Sequence, residues 1–311
     1  MSVFFVRRLV QSAALLLIVV SGVFFLVHLT PGGPEAALAR NPRVSGAELQ
    51  RLRSSFGLDE PLPSQYLRWL AHVARFDFGT SYFYSRPASE VVGERLGPTL
   101  LLGLSSYLVA LAGVPLGMLA GLNRGRAVDV VVRLLASIGQ SVPTWWLGLS
   151  SVVVLGSLTG WFPSSPGQGD PGEWLKSVSV PALVLGLGGL ATFARLVRAG
   201  VLDALAEEYV RAARAKGLPP RLVNGRHVLR NVLLPVITEL AGLLPAVVSG
   251  ALVTEYVFAW PGTGRLFYEA ASSRDYPIVL AVLTLVSAAT ILGTLLADLA
   301  YGMVDPRIRY A

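Results

Sequence analysis

Glu207-Glu208-Tyr209-Val210-Arg211-Ala212-Ala213-Arg214-Ala215-Lys216-Gly217, followed by Leu218-Pro219-Pro220 and then His227-Val228-Leu229-Arg230-Asn231, forms a polar, strongly basic island between two long apolar runs. A chain that spans a bilayer tolerates such an island only outside the hydrocarbon, because unpaired charge at membrane depth is expensive. At this point the chain leaves the membrane and presents a surface to something.

The bilayer itself follows from composition. Hydrophobic residues make up 53% of the chain and charged residues 14%, against about 25% charged in an average soluble domain. There is no cysteine, which excludes disulfides and thiolate metal sites. The net charge of +7 sits in short scattered groups that suit contact with lipid and membrane topology, not a nucleic-acid-binding stripe.

After Arg7 and Arg8 an almost uncharged run extends to Leu29, about the ~20 residues that a spanning helix needs; it reads as a retained first span and not a cleaved leader. Five further apolar runs lie at 97–121, 128–158, 178–200, 234–258 and 277–301, with kinks expected at Pro115, Pro143, Pro181 and Pro245. The expected fold class is an all-α polytopic membrane protein with six transmembrane helices. Basic residues alternate between the connecting loops. Arg7 and Arg8, Arg124 to Arg133, Arg195 to Arg230, and Arg307 with Arg309 fall on one side, and Lys176, Arg265 and Arg274 on the other. The positive-inside rule then places both termini in the cytoplasm. The long segment 30–96 falls outside. Ser45 with Glu48 makes a capping box before Leu49, Leu52 and Phe56, and Tyr66, Leu67, Leu70 and Val73 repeat a helical face, so a small helical cap is expected there.

Within the island, Asp203 stands where an N-cap is wanted, and Glu207 pairs with Arg211 at i,i+4. Arg211, Arg214 and Lys216 complement the macrodipole near the C-terminus. Gly217 takes the left-handed C′ position, and Pro219-Pro220 prevent continuation. The spacing predicts a short helix over 203–217 that projects from the membrane and stops abruptly. Ala212, Ala213 and Ala215 leave part of it bare, so another protein's groove can approach the backbone. An amphipathic helix resting on the membrane interface is the alternative.

The island, with Tyr-Val-Arg-x-Ala-Arg-Ala-Lys-Gly-Leu and the later His-x-Leu-Arg-Asn, resembles the coupling segment of ABC importer permeases of the dipeptide/oligopeptide (peptide/nickel) family, subunit-B class. Four further stretches carry the same resemblance in order: Phe56 to Leu62 with Gln65-Tyr66; Phe76 to Ser81; Glu255 to Phe258 with Pro261 to Gly264 and Asp275-Tyr276-Pro277; and Asp305 to Arg309. Arg211 replaces the acidic residue of the general importer motif, as in the peptide branch. The resemblance implies a type I importer permease whose partners are a second homologous permease, two ATP-binding subunits that hold ATP and magnesium, and an extracytoplasmic substrate-binding protein. No cofactor is implied in this chain, and it lacks a Walker A sequence, its two lysines lying in Leu-Lys-Ser and Ala-Lys-Gly. It implies residence in a bacterial or archaeal cytoplasmic membrane, with 1–29 as N-terminus and first span, 30–96 as the external segment, and 97–311 as the permease core with its coupling loop at 201–235. The residues it assigns to ATPase coupling are Glu207, Glu208, Tyr209, Arg211, Ala212, Ala213, Arg214, Ala215, Lys216, Gly217, Leu218, His227, Arg230 and Asn231. Relatives of this branch are associated with dipeptides, longer peptides, nickel chelates, glutathione and oligosaccharides.

Polar residues within apolar spans tend to face a bundle interior or a wet cavity. Gln140, Ser141 and Thr144 beside Pro143 form one candidate pathway group, and Glu239, Ser249, Thr254 and Glu255 another. For Glu239 and Glu255, capping or pairing is the alternative to a place on the path. Gly186, Gly188 and Gly189 suit close helix packing. His28, His72 and His227 fall at three different depths, which leaves no catalytic constellation for an enzyme. An ion-gradient-driven carrier acting without ATPase partners is the alternative of a different class.

Overall fold

In the computed structural model, residues 2–29, 59–159, 171–233, 235–237, 239–240 and 252–304 are described, and their regular structure is helical. The first apolar run forms α1 (Ser2–Leu29). In the segment after the first run, α2 (Leu62–Val73) opens with Pro63 in its first turn, where a missing N–H is harmless. It lies against α1 through aromatic rings: Tyr66 and Trp69 stand 5.4 and 5.1 Å from Phe24, and Ser21 Oγ is 2.6 Å from Tyr66 Oη. The face packed on α1 is therefore Tyr66 and Trp69, Val73 packs against the cluster that holds Phe78 and Ala88, and Leu67 remains 65% exposed. The Ser45–Glu48 capping box with Leu49, Leu52 and Phe56 lies outside the described residues, as does the motif from Asp305 to Arg309.

The second run begins earlier than its hydropathy suggests. Helix α3 (Ala88–Leu111) holds Pro98 within it, and α4 (Gly113–Leu122) continues after a break at Ala112. Pro115 falls in the first turn of α4, where it removes no internal bond. The third run is not one kinked helix. Its two parts, α5 (Ala127–Ser141) and α6 (Thr144–Thr159), meet at 102°. The reason is local: Pro143 forces Val142 into an extended conformation (φ −91°, ψ 122°), the usual restriction on a residue before proline. Helix α7 (Pro171–Ala206) runs 36 residues through Pro181, and a brief interruption leads to α8 (Glu208–Ala215). A turn at Pro220–Leu222 and a π-helix at Val223–Val228 return the chain towards the bundle. The last elements are α9 (Leu252–Val257), α10 (Thr263–Ser273) and α11 (Tyr276–Val304). Among the described residues, four helices are long and apolar enough to cross a membrane, or five if the bent α5–α6 pair is one span. Most of the run at 234–258 lies outside them.

Helix α7 is the hub, touching α3, α4, α5, α6 and α8. Without a strong hydrophobic drive between helices in lipid, close backbone approach supplies the packing energy. Gly113, Gly117 and Gly121 put one such face on α4. A Cβ built on Gly117 would collide with the Ala194 carbonyl oxygen and stand 2.9 Å from Val197 Cβ; one on Gly121 would meet Val201 Cβ at 2.7 Å. On α7, a Cβ added to Gly186 or Gly189 would stand 2.6 and 2.7 Å from the Cβ atoms of Val109 and Ala110 of α3, whereas one added to Gly188 would meet nothing within 4 Å.

At α10 the chain is held by two buried carboxylates. Glu255 receives the backbone amides of Gly264 (2.7 Å) and Arg265 (3.0 Å) and the Thr99 hydroxyl (3.0 Å). Asp275 receives the amides of Tyr82 and Phe83, both at 3.2 Å, and the Ser81 hydroxyl. Glu255 stands at the N-terminus of α10, where a carboxylate satisfies orphan donors and complements the dipole, whereas Asp275 holds the turn at 82–83.

Candidate functional site

The island folds largely as its spacing predicts, with its start displaced. Asp203 is an exposed residue inside α7, because that helix continues through Ala206. The N-cap position of α8 is Glu207 (φ −71°, ψ 148°), without a side-chain cap. The expected Glu207–Arg211 pair does not form. Arg211 Nη2 instead donates to the Ala206 carbonyl at 3.0 Å, capping the C-terminus of α7, where unsatisfied carbonyls attract a cation. At the other end Gly217 adopts φ +76°. Its amide reaches the Arg214 carbonyl at 2.9 Å, and the Leu218 amide reaches that of Ala213 at 3.3 Å. This is the Schellman arrangement that stops a helix at glycine.

Helix α8 has two faces. Val210 and Ala213 are buried with Val201, Val223, Val228 and Val232, and Leu218 packs against the same cluster. Glu208, Tyr209, Arg211, Ala212, Arg214, Ala215 and Lys216 are exposed. Ala213 is thus unavailable to a partner, contrary to the expectation of a bare alanine face, and only Ala212 and Ala215 are open. A helix lying on lipid needs large apolar side chains turned outward. The apolar side of α8 is consumed by its own chain, which disfavours that reading. Asn231 Nδ2 donates to Tyr209 Oη at 2.7 Å and to the His227 carbonyl at 3.2 Å, tying α8 to the returning helix. The bond to Tyr209 turns the two side chains towards each other, and the bond to His227 holds Asn231 on its own helix. His227 is half-buried, and Arg230 is exposed.

The pathway candidates separate. Gln140, Ser141 and Thr144 gather, exposed, at the α5–α6 bend; Gln140 Nε2 donates to Thr192 Oγ1 of α7 at 3.1 Å. Glu239 is exposed, and Ser249 lies outside the described residues. Thr254 and Glu255 are 4% and 0% exposed, and the bonds of Glu255 to α10 and Thr99 make it a helix anchor. That corrects its candidacy as an open lining residue and follows the capping alternative. Sequence reading missed Asp129, which is 1% exposed and bound by Arg198. The available signal was a lone acidic residue among arginines at the edge of an apolar run.

Residues 113–310 match the family described as binding-protein-dependent transport system inner membrane component, and residues 1–102 match its N-terminal counterpart. The chain is 36% identical over 317 residues to the oligopeptide transport system permease protein AppB of Bacillus subtilis, covering all of both chains. It is 36% identical over 315 residues, again covering both entirely, to the probable peptide ABC transporter permease protein y4tP of Sinorhizobium fredii. Its fold resembles that of the inward-facing MetNI methionine ABC transporter, with a TM-score of 0.51, 19% identity, and coverage of 69% of this chain and 96% of that one. The chain belongs to the family of inner-membrane components of binding-protein-dependent transport systems.

Proposed function

We propose that this chain is the permease subunit of an ATP-driven importer of di- or oligopeptides in a bacterial or archaeal cytoplasmic membrane, with both termini inside the cell. With a second permease of related fold it forms the path. Two ATP-binding subunits drive it from the cytoplasm, and an external binding protein delivers cargo. The observation that carries this reading is α8: a short helix stopped at Gly217, welded to its own chain by Val210 and Ala213, and turning a polar, mainly basic face outward, with Arg211, Arg214 and Lys216 beside Glu208, Tyr209 and two alanines.

Arg214, Lys216, Arg221, Arg226 and Arg230 are exposed and make no ion pair among the described residues. Glu207 and Glu208 offset part of that charge. The complementary surface on the ATP-binding subunit is acidic, and closure of the nucleotide sites is delivered as a push on α8, then α7. Rigid-body alternating access follows. Peptide is the cargo suggested by the names of the full-length relatives, and the exposed Gln140, Ser141 and Thr144 at the bend are the best-placed candidates for the path.

Affinity purification from its own host tests this directly. Arg214→Glu with Lys216→Glu is expected to reduce the recovered ATP-binding subunit at least about tenfold, while the wild-type association weakens with salt as exposed charge pairs do. Undiminished recovery with the double variant would contradict the assignment. In the assembled system with its binding protein, peptides should stimulate ATP hydrolysis. Stimulation by nickel chelates or sugars alone would reject the cargo.

A further inference from the structure

The coupling reading leaves open how a push on α8 (Glu208–Ala215) reaches the bend at Pro143, far back in the sequence. Asp129 near the start of α5 receives Arg198 of α7 through two bonds, Nε at 2.5 Å and Nη2 at 3.0 Å, and the Gly125 amide at 3.0 Å. Its carboxylate is 1% exposed, and Arg133 Nε stands 3.6 Å away. Arg198 lies eight residues before the end of α7, roughly 12 Å along a helix rising 1.5 Å per residue. Met118 and Leu122 at the end of α4 pack with the cluster that holds Val201 and Val210, so the pair sits at the α8 end of the bundle.

The two kinds of α7 contact differ mechanically. The glycine face of α4 is smooth: its contacts are backbone against small side chains, and these allow small sliding of packed helices. A bidentate carboxylate–guanidinium fork fixes distance and rotation together. At the opposite end of α5, Gln140 bonds to Thr192 of α7 at 3.1 Å. Helix α5 is therefore attached to α7 by directional bonds at both ends, and the second attachment lies beside the 102° turn into α6. A buried ion pair is weak evidence for a stability role, since apolar replacements of such pairs are often neutral.

We infer that Asp129 and Arg198 are a positioning pair that makes α5 move with α7, so that displacement imposed at α8 reaches the α5–α6 bend. This rests on the proposed coupling role of α8. Neither residue touches cargo or nucleotide; the pair acts through the helices it joins.

The test uses the complete complex, purified with its ATP-binding subunits and reconstituted with its binding protein in liposomes. Solute moved per ATP hydrolysed is compared for wild type, Asp129→Asn, Asp129→Glu and Arg198→Lys. Lysine keeps the charge and loses the fork, so Arg198→Lys serves if Asp129→Asn fails to fold. Expected are hydrolysis within about threefold of wild type for Asp129→Asn and Arg198→Lys, uptake per ATP down at least about tenfold, and partial recovery in Asp129→Glu. A merely structural pair would lower hydrolysis and uptake in proportion and leave the ratio unchanged, and that result would overturn the inference. If the wild-type chain retains no ATP-binding subunit, the proposed function fails first, a distinguishable outcome.

Discussion

Gly117→Leu should leave almost no folded chain to extract from the membrane. The first atom of any side chain at that position overlaps the Ala194 carbonyl oxygen, and it stands 2.9 Å from Val197 Cβ. The obstacle is backbone, so no rotamer change removes it. Relief requires α4 to move off α7, which would also separate the Gly113 and Gly121 contacts on the same face. Overpacking a well-filled core costs about 1–3 kcal/mol, and losing a whole helix seam adds to that. Against a typical total stability of about 5–15 kcal/mol, little margin remains. Gly188→Ala is the matched control, because nothing lies within 4 Å of its added methyl. Thermal melting of the detergent-solubilised chain, with its level in membranes, reads the effect. Equal melting of Gly117→Leu and wild type would refute the packing described for α4 on α7.

Glu255→Ala carries the second large effect, and it separates two roles that a carboxylate in an apolar run can have. Deleting the carboxylate strands the Gly264 and Arg265 amides, which lie within a region where Thr263, Gly264 and Leu266 are buried. It also removes the acceptor of the Thr99 hydroxyl. Each orphaned buried donor costs roughly 1–3 kcal/mol. Gly262 and Gly264 pack against the same carboxylate so closely that a side chain on either would collide with it or with Leu252. The expected result is a chain with strongly lowered melting temperature and rapid proteolysis around α10. Thr99→Val should act in the same direction, more mildly. A stable Glu255→Ala chain with altered cargo preference would instead return Glu255 to the pathway.

Most of the helical architecture was legible in the sequence because hydropathy runs and stop signals are local. Gly217 shows why: only a residue at ease with positive φ suits that terminus, and two prolines follow it. The bend at Pro143 was legible as a perturbation but not in size. Whether a proline kinks or ends a helix depends on what packs on either side, and here Gly148 of α6 lies against Val257 of α9 and the following Phe258. The partners of Glu255, Asp275 and Asp129 are invisible locally. Thr99, Ser81 and Arg198 lie 156, 194 and 69 positions away from them, and sequence spacing says nothing about contacts of that range. Within the segment proposed for coupling, the division of the alanines was legible only with the fold in hand. Ala213 is claimed by a valine cluster assembled from α7 and the returning π-helix.

Because the chain has no cysteine, single cysteines can report the side of the membrane each surface faces. Ala212→Cys on the open face of α8 and Phe83→Cys, at a residue 72% exposed near α10, are treated with a membrane-impermeant maleimide. In intact cells Phe83→Cys should react and Ala212→Cys should not. In inverted vesicles stripped of peripheral subunits Ala212→Cys should react, and rebinding the ATP-binding subunit should protect it. Labelling of Ala212→Cys from outside intact cells, or reactivity unchanged by the bound subunit, would contradict a cytoplasmic α8 seated in its ATPase partner.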